Sequence, residues 1–294
     1  MRIFCCQFDI VWENKEANFD KVANTLANAA LPPNSLVILP EMCFTGFSMN
    51  VPRIAEHEPA RTEEFLATLA KRHQVYLVSG LVTQTPDGLG KNEAVFLNPS
   101  GMIEARYQKL HLFSPAGEHS FFERGNQVFT FHWQGGSVAL FICYDLRFPE
   151  VFRAAIELGA ELFIVVANWP KVRESHWCTL LQARAIENQA FVAGVNRCGR
   201  DPNCDYSGRS CIFGLAGELI VDAGENESLV SSELNWETVR DHRKRFPALS
   251  DRRQDIPNML SRSRYDGNAT KRKEPIAWPN SMSPPYEECQ HGTI

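Results

Sequence analysis

The chain has 294 residues, of which 44% are hydrophobic, so it can bury a large core as one long domain or two. Its formal net charge is −5 and its lysines and arginines are dispersed, which leaves no basic stripe for a nucleic-acid partner. The longest apolar stretches run about six to eight residues, short of the roughly 20 that cross a bilayer, so we expect no membrane partner.

The amino-terminal residues and the cysteines indicate in which cellular compartment the protein is expected. Residues 1–8, Met-Arg-Ile-Phe-Cys-Cys-Gln-Phe, are typical of a first strand, because a signal peptide would place a longer apolar segment after its basic residue. The nine cysteines are then expected to be reduced thiols. The sequence therefore predicts a cytoplasmic protein.

Strand-like and helix-like stretches alternate along the chain. Strands are predicted near 2–8, 36–39, 75–82, 92–98, 102–107, 137–142, 161–167 and 190–196, helices near 15–30, 61–73, 149–158 and 175–188, and a hairpin around 210–221. Strands outnumber helices, and helices recur between them. This order favours an α/β fold in which two sheets pack face to face with helices outside.

The domain organisation follows from the same pass. No linker rich in proline, glycine and serine interrupts the first 250 residues, so we predict one domain over 1–253. From Arg252 onward the apolar periodicity is lost. Residues 254–294 are therefore predicted to be an irregular carboxyl-terminal tail.

Cys143 lies where a strand pattern changes to a helix pattern. Val138 to Ile142 is apolar and β-branched, and Pro149 with Glu150 suits the first turn of a helix. A side chain at such a junction projects into the crevice where open α/β sheets bind ligands. A single cysteine is more often a small buried hydrophobic residue, so its position alone makes Cys143 only a candidate nucleophile.

A carboxylate and an ammonium group follow other predicted strands. Glu41 comes after the run Ser35-Leu-Val-Ile-Leu-Pro, and Lys109 comes after the strand near 102–107, followed by Glu118 in a Gly-Glu-His turn. Taken singly, Glu41 could be a solvated loop end, Lys109 a surface lysine and Glu118 an ordinary turn residue. Together with Cys143, these residues provide a base, a cation and a thiol.

The set and its flanks resemble the nitrilase superfamily, the carbon–nitrogen hydrolases, whose members carry a Glu-Lys-Cys triad in this order and often a second Glu between Lys and Cys. The resemblance implies a four-layer αββα sandwich and amide hydrolysis through a thioester on Cys143. Glu41 would be the base, and Lys109 with the backbone N–H of Tyr144 would stabilise the oxyanion. Glu118 would hold Lys109 in register.

The same resemblance implies that no metal or organic cofactor is needed. It also implies a homodimer or larger even-numbered homo-oligomer, associating through the helices 149–158 and 175–188.

The second half looks like the omega-amidase branch, whose members release ammonia from 2-oxo acid monoamides such as 2-oxoglutaramate and 2-oxosuccinamate. The residues that carry this likeness are Asn168-Trp169-Pro170, Arg173, His176-Trp177, 183–189, 194–199 and 206–210. Arg147, Trp169 and Arg173 are the candidate substrate-binding residues. Trp169 and Trp177 are more often core aromatics than substrate walls, and Arg147 could equally form a buried pair with Asp145 or Glu150.

Several alternatives remain open at this stage. The nucleophile could pair with His119 or His176 as a Cys-His dyad. Zinc is disfavoured, because the cysteines form no C-x₂-C pair and the histidines no closed ligand spacing. The chain could also be another small-molecule amidase, a nitrilase or an N-carbamoyl hydrolase, or a scaffold that has lost catalysis, although an intact acid, cation and thiol disfavour the last.

Overall fold

Two larger β-sheets and a two-stranded hairpin build the described chain, residues 1–56 and 60–253 of a computed structural model. The first sheet contains β1 (Arg2–Gln7), β2 (Leu36–Ile38), β3 (Tyr76–Gln84), β4 (Gly90–Leu97), β5 (Ile103–Gln108), β6 (Phe122–Glu123) and β15 (Ser228–Glu233). The second contains β7 (Phe131–Trp133), β8 (Gly136–Ile142), β9 (Leu162–Ala167), β10 (Phe191–Asn196), β13 (Cys211–Phe213) and β14 (Leu219–Asp222). The hairpin pairs β11 (Cys198–Arg200) with β12 (Asp205–Ser207).

Each large sheet has a parallel centre. In the first sheet β1 pairs with β2 and β2 with β3, all parallel. In the second sheet β8, β9 and β10 are parallel neighbours. The carboxyl ends of parallel strands meet at one edge, so each sheet offers an edge where residues from different parts of the chain converge.

Alternating burial along the strands separates an inner layer from an outer layer. In β1, Ile3 and Cys5 belong to the core between the sheets, whereas Phe4 and Cys6 belong to the core under the outer helices. The rings of Tyr107 in β5 and Phe141 in β8 meet across the sheets at 5.9 Å between centroids. The two sheets therefore pack face to face.

Helices cover the outer faces of both sheets. The described helices are α1 (Lys15–Ala27), α2 (Val51–Ile54), α3 (Arg61–His73), α4 (Pro149–Glu157), α5 (Glu174–Asn188) and α6 (Trp236–Arg245). Buried residues of α1 and α3 pack on the first sheet, and those of α4 and α5 pack on the second. The predicted four-layer αββα sandwich is confirmed.

Most predicted elements are present within two or three residues of their expected ends. β15 and α6 were not predicted, because β15 is half exposed and α6 buries only Trp236 and Val239. Among the described residues, no helix combines the length and apolarity needed to cross a bilayer.

The domain boundary stays a prediction. Residues Met1–Asp251 form one compact unit. The predicted tail, 254–294, lies outside the described residues.

Candidate active site

Cys143 lies at the carboxyl end of β8, on the first residue of a short 3₁₀ turn, Cys143–Arg147. Its backbone has a φ of +45°, a left-handed conformation that side chains other than glycine rarely adopt and that costs energy unless the surroundings impose it. Its side chain is buried but borders a cavity. The predicted strand-to-turn junction is therefore present, and it directs the thiol toward open space.

The Lys109 ammonium group lies between two carboxylates. Its Nζ donates to Glu41 Oε1 at 2.8 Å and to Glu118 Oε2 at 2.9 Å. All three side chains are fully buried. Lys109 directly follows β5, Glu41 is the third residue after β2, and Glu118 begins a 3₁₀ turn after Gly117, so the predicted set is brought together.

Two asparagines complete the cluster, and sequence reasoning did not assign either of them to it. Asn92 of β4 donates through Nδ2 to both Glu41 Oε1 and Glu118 Oε1, at 2.8 and 2.9 Å. Asn168, directly after β9, donates its backbone N–H to Glu41 Oε2 at 2.8 Å and its side-chain amide to the Glu41 carbonyl at 2.6 Å. For Asn92, the only feature of the sequence that could have indicated a role is the presence of a polar residue in a mostly apolar strand.

The cluster sets the protonation of the thiol. Burial, followed by the adjacent Glu41 carboxylate, raises the pKa of Cys143 well above its ordinary value, although Lys109 opposes this rise. Burial by itself lowers the pKa of Lys109, but Glu118 and Glu41 outweigh burial and raise it. The resting site therefore holds a neutral thiol, whose Sγ donates to the Asn168 carbonyl at 3.9 Å, near Glu41 and a charged ammonium group.

A cavity of about 420 Å³ opens over Cys143. It is lined by Trp12, Phe47, Met49, Phe113, Ala116, Cys143, Tyr144, Arg147, Asn168, Trp169, Pro170, Arg173, Asp201, Asn203, Cys204 and Tyr206. The predicted residues Tyr144, Arg147, Trp169 and Arg173 all border it. A concave, mostly apolar pocket with a few charged groups is typical of a small-molecule site.

Two guanidinium groups are presented at the pocket wall. Arg147 stacks 4.8 Å from the Trp169 ring centroid and places Nη2 3.3 Å from His176 Nδ1. Arg173 lies 5.4 Å from the Phe113 ring centroid. Asp145, one alternative partner of Arg147, instead accepts hydrogen bonds from Tyr107 and His111.

The two tryptophans differ in role. Trp177 is a core residue of α5 whose Nε1 donates to the Arg209 carbonyl. Trp169 is buried too, but it borders the pocket and its Nε1 donates to the Arg173 carbonyl at 2.7 Å. Trp169 thereby ties the two arginine-bearing segments together.

The described residues do not support a Cys-His dyad. His119 and His176 are exposed, and neither borders the cavity, whereas the Cys143 thiol is buried and the Glu41 carboxylate next to it raises its pKa. In the same part of the chain, no group of three or more His, Cys, Asp and Glu side chains is arranged to hold a metal ion.

Comparisons with known proteins agree with this geometry. The family model described as carbon-nitrogen hydrolase matches residues 2–244. The chain is 37% identical to omega-amidase YafV of Yersinia enterocolitica, over 85% of this chain and 96% of that protein, and 32% identical to 2-oxoglutaramate amidase of Bacillus subtilis, over 86% and 98%. The crystal structure of XC1258 from Xanthomonas campestris, a CN-hydrolase superfamily protein with an arsenic adduct in its active site, matches with a TM-score of 0.81 at 34% identity, covering 86% of this chain and 97% of that one.

Proposed function

We propose that this chain, which belongs to the carbon–nitrogen hydrolase family, is an omega-amidase that converts 2-oxo acid monoamides such as 2-oxoglutaramate and 2-oxosuccinamate to the 2-oxo acid and ammonia. Two relatives named for this activity align over most of both chains. The observation that carries the proposal is the buried Cys143 thiol, which lies beside the Glu41–Lys109–Glu118 cluster and borders a pocket with two arginines.

The first half-reaction forms a thioester. Glu41 takes the proton from Cys143 as Sγ attacks the amide carbon, and the charge that develops on oxygen is stabilised by Lys109 and the backbone N–H of Tyr144. Glu41 then passes the proton to the departing nitrogen as the C–N bond breaks. Ammonia leaves, and the acyl group remains on Cys143.

The second half-reaction uses the same groups on water. Glu41 removes a proton from a water molecule that attacks the thioester carbon, and returns it to the sulfur as the C–S bond breaks. Glu118 supports both steps, because its carboxylate fixes Lys109 through two contacts of 3.1 and 2.9 Å. The products are the 2-oxo acid and a neutral Cys143.

The substrate carboxylate would be held by Arg147 and Arg173. Both guanidinium groups border the pocket and lie against aromatic rings, and apart from Arg147 Nη2, which lies 3.3 Å from His176 Nδ1, their N–H groups can face an anion. Arg173→Met should raise KM at least about tenfold with a smaller change in kcat. Lys171→Met, two residues away, exposed and paired with Glu225, is the matched control and should leave KM unchanged.

Substrate profiling tests the subtype. Purified protein would be assayed for ammonia release from 2-oxoglutaramate, glutamine, a simple nitrile and an N-carbamoyl amino acid. Glutamine should be poorer by about 10² or more, because its charged α-amino group would lose hydration without a partner. Equal turnover of glutamine and 2-oxoglutaramate would reject the omega-amidase subtype, and preference for the nitrile or the carbamoyl compound would favour the alternative hydrolases.

The proposed assembly of several copies of the chain is supported by exposed apolar side chains on two helices. Leu158 directly after α4 and Ile186 on α5 are each about half exposed, as expected of helices that meet a second copy of the chain in a homodimer or larger even-numbered assembly. A monomer by light scattering at micromolar concentration would reject the assembly.

The eight cysteines among the described residues are all free, which suits a cytoplasmic protein.

A further inference from the structure

One buried carboxylate, Asp145, contacts the segments that carry both Lys109 and Cys143. Its Oδ2 accepts from the Tyr107 hydroxyl at 2.8 Å and from the Ile142 backbone N–H at 3.1 Å. Its Oδ1 accepts from the His111 backbone N–H at 2.9 Å and lies 2.8 Å from His111 Nδ1. The side chain is fully buried.

The positions of these donors are informative. Tyr107 and His111 flank Lys109 by two residues on either side, and Ile142 immediately precedes Cys143. Tyr107 belongs to the first sheet, whereas Ile142 and Asp145 belong to the second sheet and the turn that follows it. A single carboxylate thus fastens the lysine segment of one sheet to the cysteine turn of the other.

The same contacts bear on the strained backbone. Cys143 has a φ of +45°, and the bond from Ile142 N–H to Asp145 Oδ2 closes the turn around it. Strained residues persist only where their surroundings hold them. The carboxylate is placed to do this, because it bridges the residues on both sides of Cys143.

We propose that Asp145 is a positioning residue that sets the distance between the Lys109 ammonium group and the Cys143 thiol. It does not touch the substrate or the reacting atoms. The inference rests on the roles proposed above for Lys109 and Cys143.

Asp145→Asn tests the proposal with almost no change in volume. An asparagine has one acceptor oxygen and one donor NH₂, so whichever way it turns, its NH₂ meets a backbone N–H that cannot accept, either that of Ile142 or that of His111. We expect kcat to fall by about 100-fold or more while KM stays within about threefold.

The matched control is Glu161→Gln. Glu161 is another buried carboxylate that accepts a backbone N–H, that of Ser137, but it lies at the opposite end of β8 from Cys143. Its substitution removes the same kind of bond and should leave kcat unchanged. Equal losses in Asp145→Asn and Glu161→Gln would show a general effect on folding and would overturn the proposal.

A second readout needs no substrate. Iodoacetamide alkylates the thiolate, so its rate on Cys143 as a function of pH reports the charge near the sulfur. If Lys109 moves away in Asp145→Asn, the thiolate loses its cation, and the midpoint of the profile should move to higher pH. An unchanged profile overturns the proposal even if the chain proves to act on a different amide.

Tyr107→Phe provides an independent variant should Asp145→Asn fail to fold. It deletes one of the four contacts and should produce a smaller loss of kcat and a smaller shift of the alkylation profile in the same direction. Combined with Asp145→Asn it should add little further loss, because the contact is already disrupted. Full additivity of the two changes would contradict a shared action.

Discussion

At the residue scale, the thiol that we propose as the nucleophile is held in its neutral form. The thiol is buried beside a carboxylate, both of which raise the pKa of Cys143. In the proposed mechanism, reactivity therefore depends on Glu41 removing the proton at the moment of attack. A hydroxyl in the same place would be much harder for Glu41 to deprotonate, because an alcohol is a far weaker acid than a thiol.

Replacement of Cys143 should separate chemistry from folding. Cys143→Ala should abolish ammonia release with little change in stability, and Cys143→Ser should be nearly inactive. Iodoacetamide should label Cys143 ahead of the other cysteines, because Glu41 can take the proton of its thiol and Lys109 can stabilise the resulting thiolate. Activity above about a tenth of wild type in either variant would remove Cys143 from the mechanism.

The role proposed for the second carboxylate, Glu118, can be tested separately. Glu118 accepts from Lys109, from Asn92 and from the Phe113 backbone N–H, so Glu118→Gln would turn an NH₂ toward at least one donor. We expect kcat to fall by about 10² with a smaller rise in KM. Glu123→Gln, an exposed glutamate of the same segment, is the control. A kinetically silent Glu118→Gln would make Glu118 an ordinary turn residue.

At the scale of elements, β3 supports the turn that carries Glu41. A Cβ built on Gly80 would lie 2.5 Å from Glu41 Cα and 2.6 Å from the Met42 nitrogen, both backbone atoms that cannot rotate away. The Gly80 N–H also donates to the Pro40 carbonyl at 3.0 Å. The glycine lets β3 approach the Glu41 turn closely enough to fix it.

Gly80→Ala should therefore disable the site without touching a catalytic group. The displaced turn should lower kcat by at least about 10² as measured by ammonia release, because misplacement of a catalytic group by about 1 Å is that costly. Gly159→Ala is the contrast: its φ of +88° is strained but its surroundings are open, so it should cost about 1 kcal/mol of stability with normal turnover. Normal turnover in Gly80→Ala would show that the turn tolerates movement.

Site residues could be predicted from the sequence where a chemically reactive side chain directly follows a predicted strand. Strand ends followed by Glu41, Lys109 and Cys143 could be recognised because apolar runs stop sharply there, and α3 matched its predicted bounds for the same reason. Asn92 and Asp145 could not be assigned, because their importance lies in hydrogen bonds to residues distant in sequence. β15 could not be recognised, because a half-exposed strand at a sheet edge lacks a continuous apolar pattern.

At the scale of the whole molecule, buried thiols link stability to pH. Burial raises the pKa of Cys5 and of Cys6 to about 12, with smaller contributions from neighbouring groups. Below about pH 9 the thiols are protonated in both folded and unfolded chains, so stability is complete there. Above that pH the unfolded chain loses these protons first, and stability falls as the pH rises toward 12.

This dependence can be measured by urea unfolding at pH 8 and pH 10. Each such thiol should contribute a loss of about 1.4 kcal/mol per pH unit above its ordinary pKa. Cys5→Ala lowers stability at both pH values, because it leaves a small cavity, but should reduce the difference between them. An identical difference in wild type and Cys5→Ala would show that this thiol does not titrate on unfolding.

The division of the site between the sheets has a consequence for how the chain is made. The first sheet supplies Glu41 and Lys109, the second supplies Cys143, and all but β15 of the first sheet precedes the second in sequence. During synthesis Cys143 is made after Glu41 and Lys109, and it has neither of them beside it until the two sheets close on each other. In the proposed mechanism, catalytic competence is thus acquired only when the two sheets have closed on each other.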